Sequence, residues 1–154
     1  MSVVAPWRRA GVVAAAVLTA DQISKGLVAS SIALGSSRSL MPGVTLVHAE
    51  NTGVAFSLLT GSEVAVVVVT LVILAAVLAF FARHRERRLL WLPSGLIVGG
   101  ALGNLADRVR SGAVTDFIQL PHWPAFNLAD TSITIGVLAM LAILSRGGVS
   151  ARPA

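Results

Sequence analysis

Long, uninterrupted apolar stretches dominate this chain of 154 residues. A helix that crosses a membrane needs about 20 mostly apolar residues. Four stretches approach this length, at residues 10–29, 64–82, 89–106 and 126–144. The second stretch is the most apolar, since Thr70 is its only polar residue. The pattern predicts an all-α membrane protein in which residues 1–154 form a single domain with four transmembrane helices.

Two segments outside these helices have the pattern of short β-strands. In residues 43–48, Val44, Leu46 and His48 alternate with Thr45 and Val47, as on the two faces of a strand. Residues 113–120 are rich in residues that favour strands. Gly and Pro lie at the ends of both segments, as is typical of turns. We therefore expect a small extracytoplasmic β-sheet that rests on the membrane surface.

Glycine recurs every fourth residue in the third predicted helix, at Gly95, Gly99 and Gly103. Residues four apart lie on the same face of a helix, so these glycines form one strip without side chains. Such a strip lets the backbone of a neighbouring helix approach closely. The spacing predicts a helix-packing surface.

Composition agrees with a membrane protein, because 55% of the residues are hydrophobic and only 12% are charged. Soluble domains carry about 25% charged residues. The net charge of +5 would suggest nucleic acid as a partner for a soluble protein. Here the basic residues lie between apolar stretches, so we attribute them to membrane topology and expect no nucleic-acid partner. The chain has no cysteine, which excludes a disulfide, a thiolate nucleophile and a cysteine-ligated metal.

The basic residues are distributed unequally over the two ends of the predicted helices. One end collects most of the 12 Lys and Arg residues, namely Arg8, Arg9, Arg83, Arg85, Arg87, Arg88, Arg146 and Arg152. The other end has Lys25, Arg38, Arg108 and Arg110. Because basic residues accumulate on the cytoplasmic side, both termini should be cytoplasmic. Residues 30–62 and 110–125 should be extracytoplasmic.

The N-terminus also allows an alternative interpretation as a cleaved secretory signal peptide. Arg8 and Arg9 precede an apolar run, and Ala20 could mark a cleavage site. However, Leu18 would occupy the position three residues before the cut, where small residues are preferred. The apolar pattern also resumes after Asp21, which favours a retained helix.

Four carboxylates, Asp21, Asp107, Asp116 and Asp130, lie within or at the ends of the apolar stretches, all toward the predicted outer side. A charge at membrane depth is unfavourable by roughly 3 kcal/mol, so such residues usually have a partner or a function. Asp21 lies one helical turn from Lys25, and the pair could be structural or functional.

Asp107, in the third predicted helix, adjoins Arg108 and follows Asn104 by about one turn. This cluster could brace two helices or contribute to a site. Neither Asp116 nor Asp130 has a cation within one helical turn. If these two carboxylates meet, they can share one proton, so that one activates water and the other protonates a leaving group. Alternatively, Asp130 only stabilises the N-terminus of the fourth helix.

Other catalytic groups fit the pattern less well. The histidines His48, His84 and His122 lack the spacing of metal ligands, and we expect neither a metal nor another cofactor. The serines have no Lys or His at a spacing that would suggest a serine protease. A small transporter or proton-coupled carrier is the main competing class, because carriers also bury carboxylates among glycine-rich helices. A carrier needs polar residues along a path to both faces, whereas here they are concentrated toward one face.

Five motifs in order along the chain resemble those of the lipoprotein signal peptidase family. They are DQISK at residues 21–25, NTGVAF at 51–56, GGALGNLADR at 99–108, GAVTDFI at 112–118 and FNLAD at 126–130. The resemblance implies an aspartic endopeptidase of the bacterial inner membrane that acts as a monomer. It would remove the signal peptide from a lipid-modified prolipoprotein, cutting before a diacylglyceryl-modified cysteine. Its partners would be this substrate and the lipid of the surrounding membrane.

The resemblance also implies roles for individual residues. The catalytic aspartates fall on Asp116 and Asp130. The supporting or substrate-binding positions are Asp21, Lys25, Asn51, Gly53, Asn104, Asp107, Arg108 and Asn127. The segment between the two catalytic positions, residues 117–129, is short for the family, so the size of any flap over the site is open.

The distribution of basic residues generates a prediction about topology. Reporter fusions at Glu86 and after Ala154 should be cytoplasmic, and a fusion within residues 38–41 should be extracytoplasmic. Alkaline phosphatase and fluorescent-protein fusions would measure this. A fusion at Glu86 that is active outside the cell would reverse the orientation and place the carboxylates on the other face.

Overall fold

The computed structural model describes residues 4–53, 63–87 and 89–148. Within these ranges the chain is mostly helical and carries one small sheet. The elements in order are α1 (Val4–Ser31), β1 (Ser37–Met41), β2 (Val44–Asn51), α2 (Glu63–His84), α3 (Trp91–Ser111), β3 (Val114–Gln119) and α4 (Leu128–Gly148). Each predicted apolar stretch corresponds to one helix. The helix α1 continues without a break past Ala20, the residue of the alternative signal-peptide cleavage site.

Three helices of the described part of the chain, α1, α2 and α4, are long and apolar enough to cross a membrane. The third predicted span forms α3, which has 21 residues but is less apolar. Its last two turns carry Asn104, Asp107, Arg108 and Arg110, and glycines replace larger apolar residues along its length. The prediction that α3 is a fourth transmembrane helix therefore stays a prediction.

The helix α3 lies at the centre of the bundle, where α1, α2 and α4 all pack against it. Ten of its residues are buried, and several are small, such as Gly95, Gly99 and Ser94. This position explains its composition, because a helix covered by other helices does not need large apolar side chains to face lipid.

The predicted glycine strip of α3 is the surface that packs on α1. A Cβ atom built on Gly95 would lie 2.7 Å from the carbonyl oxygen of Ala10, and one built on Gly99 would lie 2.6 Å from that of Ala14. Both helices advance in the same direction along this contact, so α1 and α3 are parallel. The predicted packing surface is confirmed, and only glycine fits at these two positions.

The helices α4 and α2 flank this parallel pair. A Cβ atom on Gly100 would lie 2.5 Å from the carbonyl oxygen of Ala129, which brings the N-terminus of α4 against the second half of α3. On α2, Phe81 is 1% exposed and meets Trp7 of α1 edge-on at a ring distance of 4.8 Å. The N-terminus of α1 therefore lies beside the C-terminus of α2.

The three strands form an antiparallel sheet in the order β1-β2-β3. Leu46 pairs with Ile118 and Ala49 pairs with Asp116, so two residues of β2 oppose the single residue Phe117 of β3. This irregularity is a β-bulge, which changes the direction in which side chains of the strand point. The two predicted strands are confirmed as β2 and β3. The sequence did not predict β1, because all five of its residues are exposed and show no alternation.

The close contact between α1 and α3 generates a prediction about stability. Gly99→Ala should destabilise the protein by about 1–3 kcal/mol, because the added methyl group would overlap the α1 backbone. Gly26→Ala is the matched control, since that position in α1 has no atom within 4 Å. The control should be neutral or slightly stabilising. Thermal unfolding in detergent would measure both, and equal melting temperatures for the two variants would contradict the packing.

Candidate active site

Buried polar side chains are concentrated where the C-terminal halves of α1 and α3, the strand β3 and the N-terminus of α4 meet. We call this the sheet end of the bundle. The buried polar residues there are Asp21, Lys25, Asn104, Asp107, Asp116 and Asn127, each less than 9% exposed. They belong to four different elements, so the network that they form depends on the packing of the whole bundle.

Lys25 of α1 lies at the centre of this network. Its Nζ atom contacts Oδ2 of Asp21 and Oδ2 of Asp107, each at 2.8 Å, and donates to Oδ1 of Asn104 at 3.0 Å. An ammonium group has three protons, so these three acceptors use all of them. Asp21 and Lys25 therefore form an ion pair within α1, and Lys25 forms a second ion pair with Asp107 of α3.

Asp21 also connects α1 to the beginning of α4. Its Oδ1 atom accepts a hydrogen bond of 2.9 Å from the backbone N–H of Ala129. The first N–H groups of a helix have no partner within that helix, and a carboxylate satisfies them well. Gly103 makes this approach possible, because a Cβ atom there would overlap Oδ2 of Asp21.

Asp107 connects α3 to α1 and to β3. Its Oδ1 atom accepts a hydrogen bond of 2.9 Å from Nε2 of Gln22, and its Oδ2 atom accepts one of 3.3 Å from the backbone of Thr115. Gln22 was not among the predicted site residues, although it lies within the first motif. Its position in that motif, one residue after Asp21, was the only signal in the sequence. Its Oε1 atom accepts a hydrogen bond of 2.9 Å from Arg110.

The side chain of Asn104 points its amide nitrogen at Asp130. Because Lys25 can only donate, the amide oxygen of Asn104 must face Lys25. The amide nitrogen then faces Oδ1 of Asp130, to which it donates at 2.7 Å. Lys25 therefore determines the orientation of a group that contacts Asp130.

Asn127 and Asp130 form a reciprocal cap at the start of α4. Oδ1 of Asn127 accepts from the backbone N–H of Asp130 at 2.9 Å, and Oδ2 of Asp130 accepts from the backbone N–H of Asn127 at 3.3 Å. This is the geometry of a capping box. The cap leaves Nδ2 of Asn127 free to donate to Oδ1 of Asp116 at 2.7 Å and to Oδ1 of Asn104 at 3.2 Å. Asp130 is thus a helix-capping residue as well as a member of the site.

Asn51, at the end of β2, contacts the other oxygen of Asp116. Its Oδ1 atom accepts a hydrogen bond of 2.9 Å from the backbone N–H of Gly53, which forms an Asx turn. Its Nδ2 atom then donates to Oδ2 of Asp116 at 3.0 Å. Gly53 has a φ of 85°, a conformation that favours glycine. This turn explains why Asn51 and Gly53 both belong to the candidate site.

The two candidate catalytic carboxylates are linked through the two asparagine amides. The chain of contacts runs from Asp116 to Asn127, to Asn104 and to Asp130. Asp116 is 2% exposed, and burial raises its pKa from 3.8 to about 6. The hydrogen bond from Asn51 opposes this rise, and the negative charge of Asp130 adds to it. The two carboxyl groups are therefore close enough for the charge of Asp130 to act on Asp116.

Arg108 lies at the margin of this hydrogen-bonded network, near enough to Asp130 and Asp116 for their charges to act on it. Its Nη1 atom donates to the backbone carbonyl of Asn104 over 3.5 Å, a long hydrogen bond. The adjacent Asp107 bonds to Lys25 and not to Arg108, so the suggested brace between helices is the pair of Lys25 and Asp107. In the described ranges, no group of three or more His, Asp or Glu side chains has the arrangement of a metal site.

A cavity of about 290 Å³ opens beside Asp130. Its lining includes the apolar side chains of Leu120, Trp123, Phe126 and Ile135. An apolar group can therefore bind next to the paired carboxylates.

The fold and the site together define a helical membrane protein in which a buried carboxylate, Asp116, and a partly buried one, Asp130, lie at one end of the bundle. The sequence profile described as "Signal peptidase (SPase) II" matches residues 13–146. The chain belongs to the signal peptidase II family, and it is therefore a protease.

Individual relatives agree with this membership. The chain is 37% identical over 129 residues to the lipoprotein signal peptidase of Halothermothrix orenii, covering 83% of this chain and 89% of the relative. It is 41% identical over 131 residues to that of Pelotomaculum thermopropionicum, covering 84% and 86%. A solved bacterial membrane enzyme superposes with a TM-score of 0.82 at 32% identity, covering 88% of this chain and 91% of that one.

The raised pKa of Asp116 predicts how stability depends on pH. The folded protein binds this proton more tightly than the unfolded chain, so its stabilising effect is complete below pH 3.8 and is lost as the pH rises through about 6. The melting temperature of the wild type should fall between about pH 5 and pH 8, values on either side of that transition. Asp116→Asn should therefore reduce this fall. The quantity to compare is the slope of melting temperature against pH, in the wild type and in Asp116→Asn. An effect of the altered hydrogen bonds that does not change with pH leaves this slope unchanged.

Thermal unfolding in detergent over this pH range would measure the effect. Glu50→Gln, which neutralises an exposed carboxylate on β2, is the control and should keep the wild-type slope. An Asp116→Asn slope equal to that of the wild type would show that Asp116 does not titrate in this range.

Proposed function

We propose that this protease is an aspartic endopeptidase that removes signal peptides from bacterial prolipoproteins, cutting before the diacylglyceryl-modified cysteine. The observation that carries this proposal is the pair of Asp116 and Asp130, linked through Asn127 and Asn104. Membership of the signal peptidase II family and the printed names of the relatives support the substrate.

In the proposed mechanism the two carboxyl groups hold one proton between them. We assign this proton to Asp116, because its side chain is 2% exposed and burial favours the neutral form of a carboxyl group. Asp130 then acts as the base that removes a proton from a water molecule. The resulting hydroxide attacks the carbonyl carbon of the residue before the lipid-modified cysteine.

The protonated Asp116 stabilises the oxyanion of the tetrahedral intermediate by donating a hydrogen bond. When the intermediate collapses, the bond between the carbonyl carbon and the amide nitrogen breaks. The proton that Asp130 accepted passes to the leaving amine of the cysteine. Asn51, Asn104 and Asn127 act as positioning residues, because each donates an amide N–H to one of the two carboxylates.

The cavity beside Asp130 suggests how an apolar part of the substrate binds. Trp123 and Leu120, on the segment that follows β3, and Ile135 of α4 form its apolar walls. Burying apolar surface stabilises a complex by about 25 cal/mol per Å². A signal-peptide side chain or a lipid chain held there would place the scissile bond beside the carboxylates.

We further propose that α3 is the fourth transmembrane helix of a bacterial inner-membrane protein. Its 21 residues are long enough, and its polar residues Ser94, Asn104 and Asp107 are buried within the protein. With both termini in the cytoplasm, the sheet and Asp116 would face the extracytoplasmic side. The buried charged side chains of the described residues all lie at the sheet end, which favours a protease over a carrier with a polar path across the membrane.

The mechanism predicts the effect of removing either carboxylate. Asp116→Asn and Asp130→Asn should each lower the cleavage rate by about 10²–10⁴-fold, because an amide cannot transfer the proton. The double variant should be little worse than either single variant, since the two groups act as one unit. A gel-shift assay with purified protein and lipidated prolipoprotein would measure cleavage.

Glu86→Gln is the control for this assay, because Glu86 is 82% exposed and lies in the loop after α2. It should cleave at the wild-type rate. Near-normal turnover by either folded aspartate variant would remove that residue from the mechanism. Separate losses that multiply in the double variant would show that the two carboxylates act independently.

A further inference from the structure

The hydroxyl group of Ser94 lies away from the candidate active site and takes no part in the proposed protease mechanism. Ser94 lies in the first turn of α3, at the opposite end of the bundle from the paired carboxylates. It is 2% exposed, and its Oγ atom has no hydrogen-bond partner among the described residues. A buried donor without a partner is unfavourable by about 1–3 kcal/mol, so a partner from outside the chain is expected.

Other serines in the helices satisfy their hydroxyl groups locally. Ser24 donates to the carbonyl of Asp21 at 2.8 Å, and Ser145 donates to that of Ala142 at 3.1 Å. Such bonds to a carbonyl three or four residues earlier are the usual solution for a helical serine. Ser94 does not make one, so its hydroxyl group is available for an acceptor in the adjacent space.

That space is a cavity of about 110 Å³ formed by α1, α2 and α3. The walls that matter here are Trp7 and Gly11 of α1, Leu78 and Phe81 of α2, and Val98 beside Ser94 on α3. Apart from the Ser94 hydroxyl group and the indole N–H of Trp7, these side chains carry no polar atom. A water molecule needs two to four polar partners in such a place, whereas an apolar chain with one acceptor atom fits it better.

Arginines surround the same end of the bundle. Arg9 of α1 lies over the ring of Trp91, at 5.9 Å from its centre, and Trp91 precedes Ser94 by about one helical turn. Arg85, one turn after Phe81, has an Nε atom that is buried without a partner among the described residues. The nearest carboxylate oxygen, on Glu86, is 3.7 Å away, which is too far for a hydrogen bond.

We propose that this cavity, together with the nearby arginines, is a binding site for one anionic phospholipid. The Ser94 hydroxyl group donates to an ester carbonyl of the lipid, and an acyl chain lies against Trp7 and Phe81. Arg9 and Arg85 bind the headgroup phosphate, to which a guanidinium can donate two hydrogen bonds. In the proposed orientation the lipid comes from the cytoplasmic leaflet, where clusters of arginine bind anionic headgroups.

Native mass spectrometry of the purified protein tests this site without reference to cleavage. The wild type, incubated with phosphatidylglycerol or phosphatidylcholine, should retain one phosphatidylglycerol in preference to phosphatidylcholine. Ser94→Ala should retain phosphatidylglycerol about three- to tenfold more weakly, the loss expected for one neutral hydrogen bond. Arg85→Gln should reduce the preference for phosphatidylglycerol over phosphatidylcholine.

Two matched controls separate this site from general effects. Ser145→Ala removes a helical hydroxyl group that already has a partner, and Arg38→Gln removes an arginine of β1 at the sheet end. Both controls should retain phosphatidylglycerol as the wild type does. Thermal unfolding with and without added phosphatidylglycerol gives a second measurement, in which the lipid should stabilise the wild type more than Ser94→Ala.

Three results would overturn the proposal. Equal retention of both lipids by the wild type would show that only an acyl chain occupies the cavity. Wild-type retention by a folded, monodisperse Ser94→Ala variant would show that the hydroxyl group binds no lipid. An equal loss in Ser145→Ala or Arg38→Gln would show that the effect is not specific to this end of the bundle.

Discussion

The buried ammonium group of Lys25 is the constraint on which the sheet end of the bundle depends. It neutralises Asp21 and Asp107, two carboxylates that are 0% and 7% exposed. Removing one partner of a buried ion pair leaves an uncompensated charge and is unfavourable by about 3–5 kcal/mol. The same group fixes the amide orientation of Asn104 and thereby acts on Asp130. Stability and the geometry of the proposed catalytic pair are thus coupled through one side chain.

The glycines of α3 make this arrangement possible. Gly95 and Gly99 bring the α1 backbone into direct contact with α3, and Gly103 leaves room for the Asp21 carboxylate between α1, α3 and α4. A larger residue at any of these positions would separate the helices and lengthen the hydrogen bonds of the network. The packing surface and the polar site are therefore one structural unit, with the apolar contacts holding the charged groups at bonding distance.

Local patterns in the sequence were sufficient to predict the helices, two of the three strands and the glycine packing surface. Each of these features depends on a periodicity that a few neighbouring residues express. The residues singled out for the site, apart from Arg108 at its margin, do come together in one network. Their catalytic and supporting roles remain proposals. The exposed strand β1 shows no alternation, and the only signal for Gln22 was its place in the first motif, so neither was predicted.

The sequence by itself determined which carboxylates lie within or beside the apolar stretches and which of them lack a neighbouring cation. Only the tertiary structure decided their partners, because those partners come from distant parts of the chain. Asp107 bonds to Lys25 of α1 and not to the adjacent Arg108, and Asp21 caps the first turn of α4 at the backbone of Ala129, 108 residues later. The physical reason is that spacing along one helix defines only its own faces. Which faces meet depends on close packing against the glycines of α3, and that contact exists only in the folded bundle.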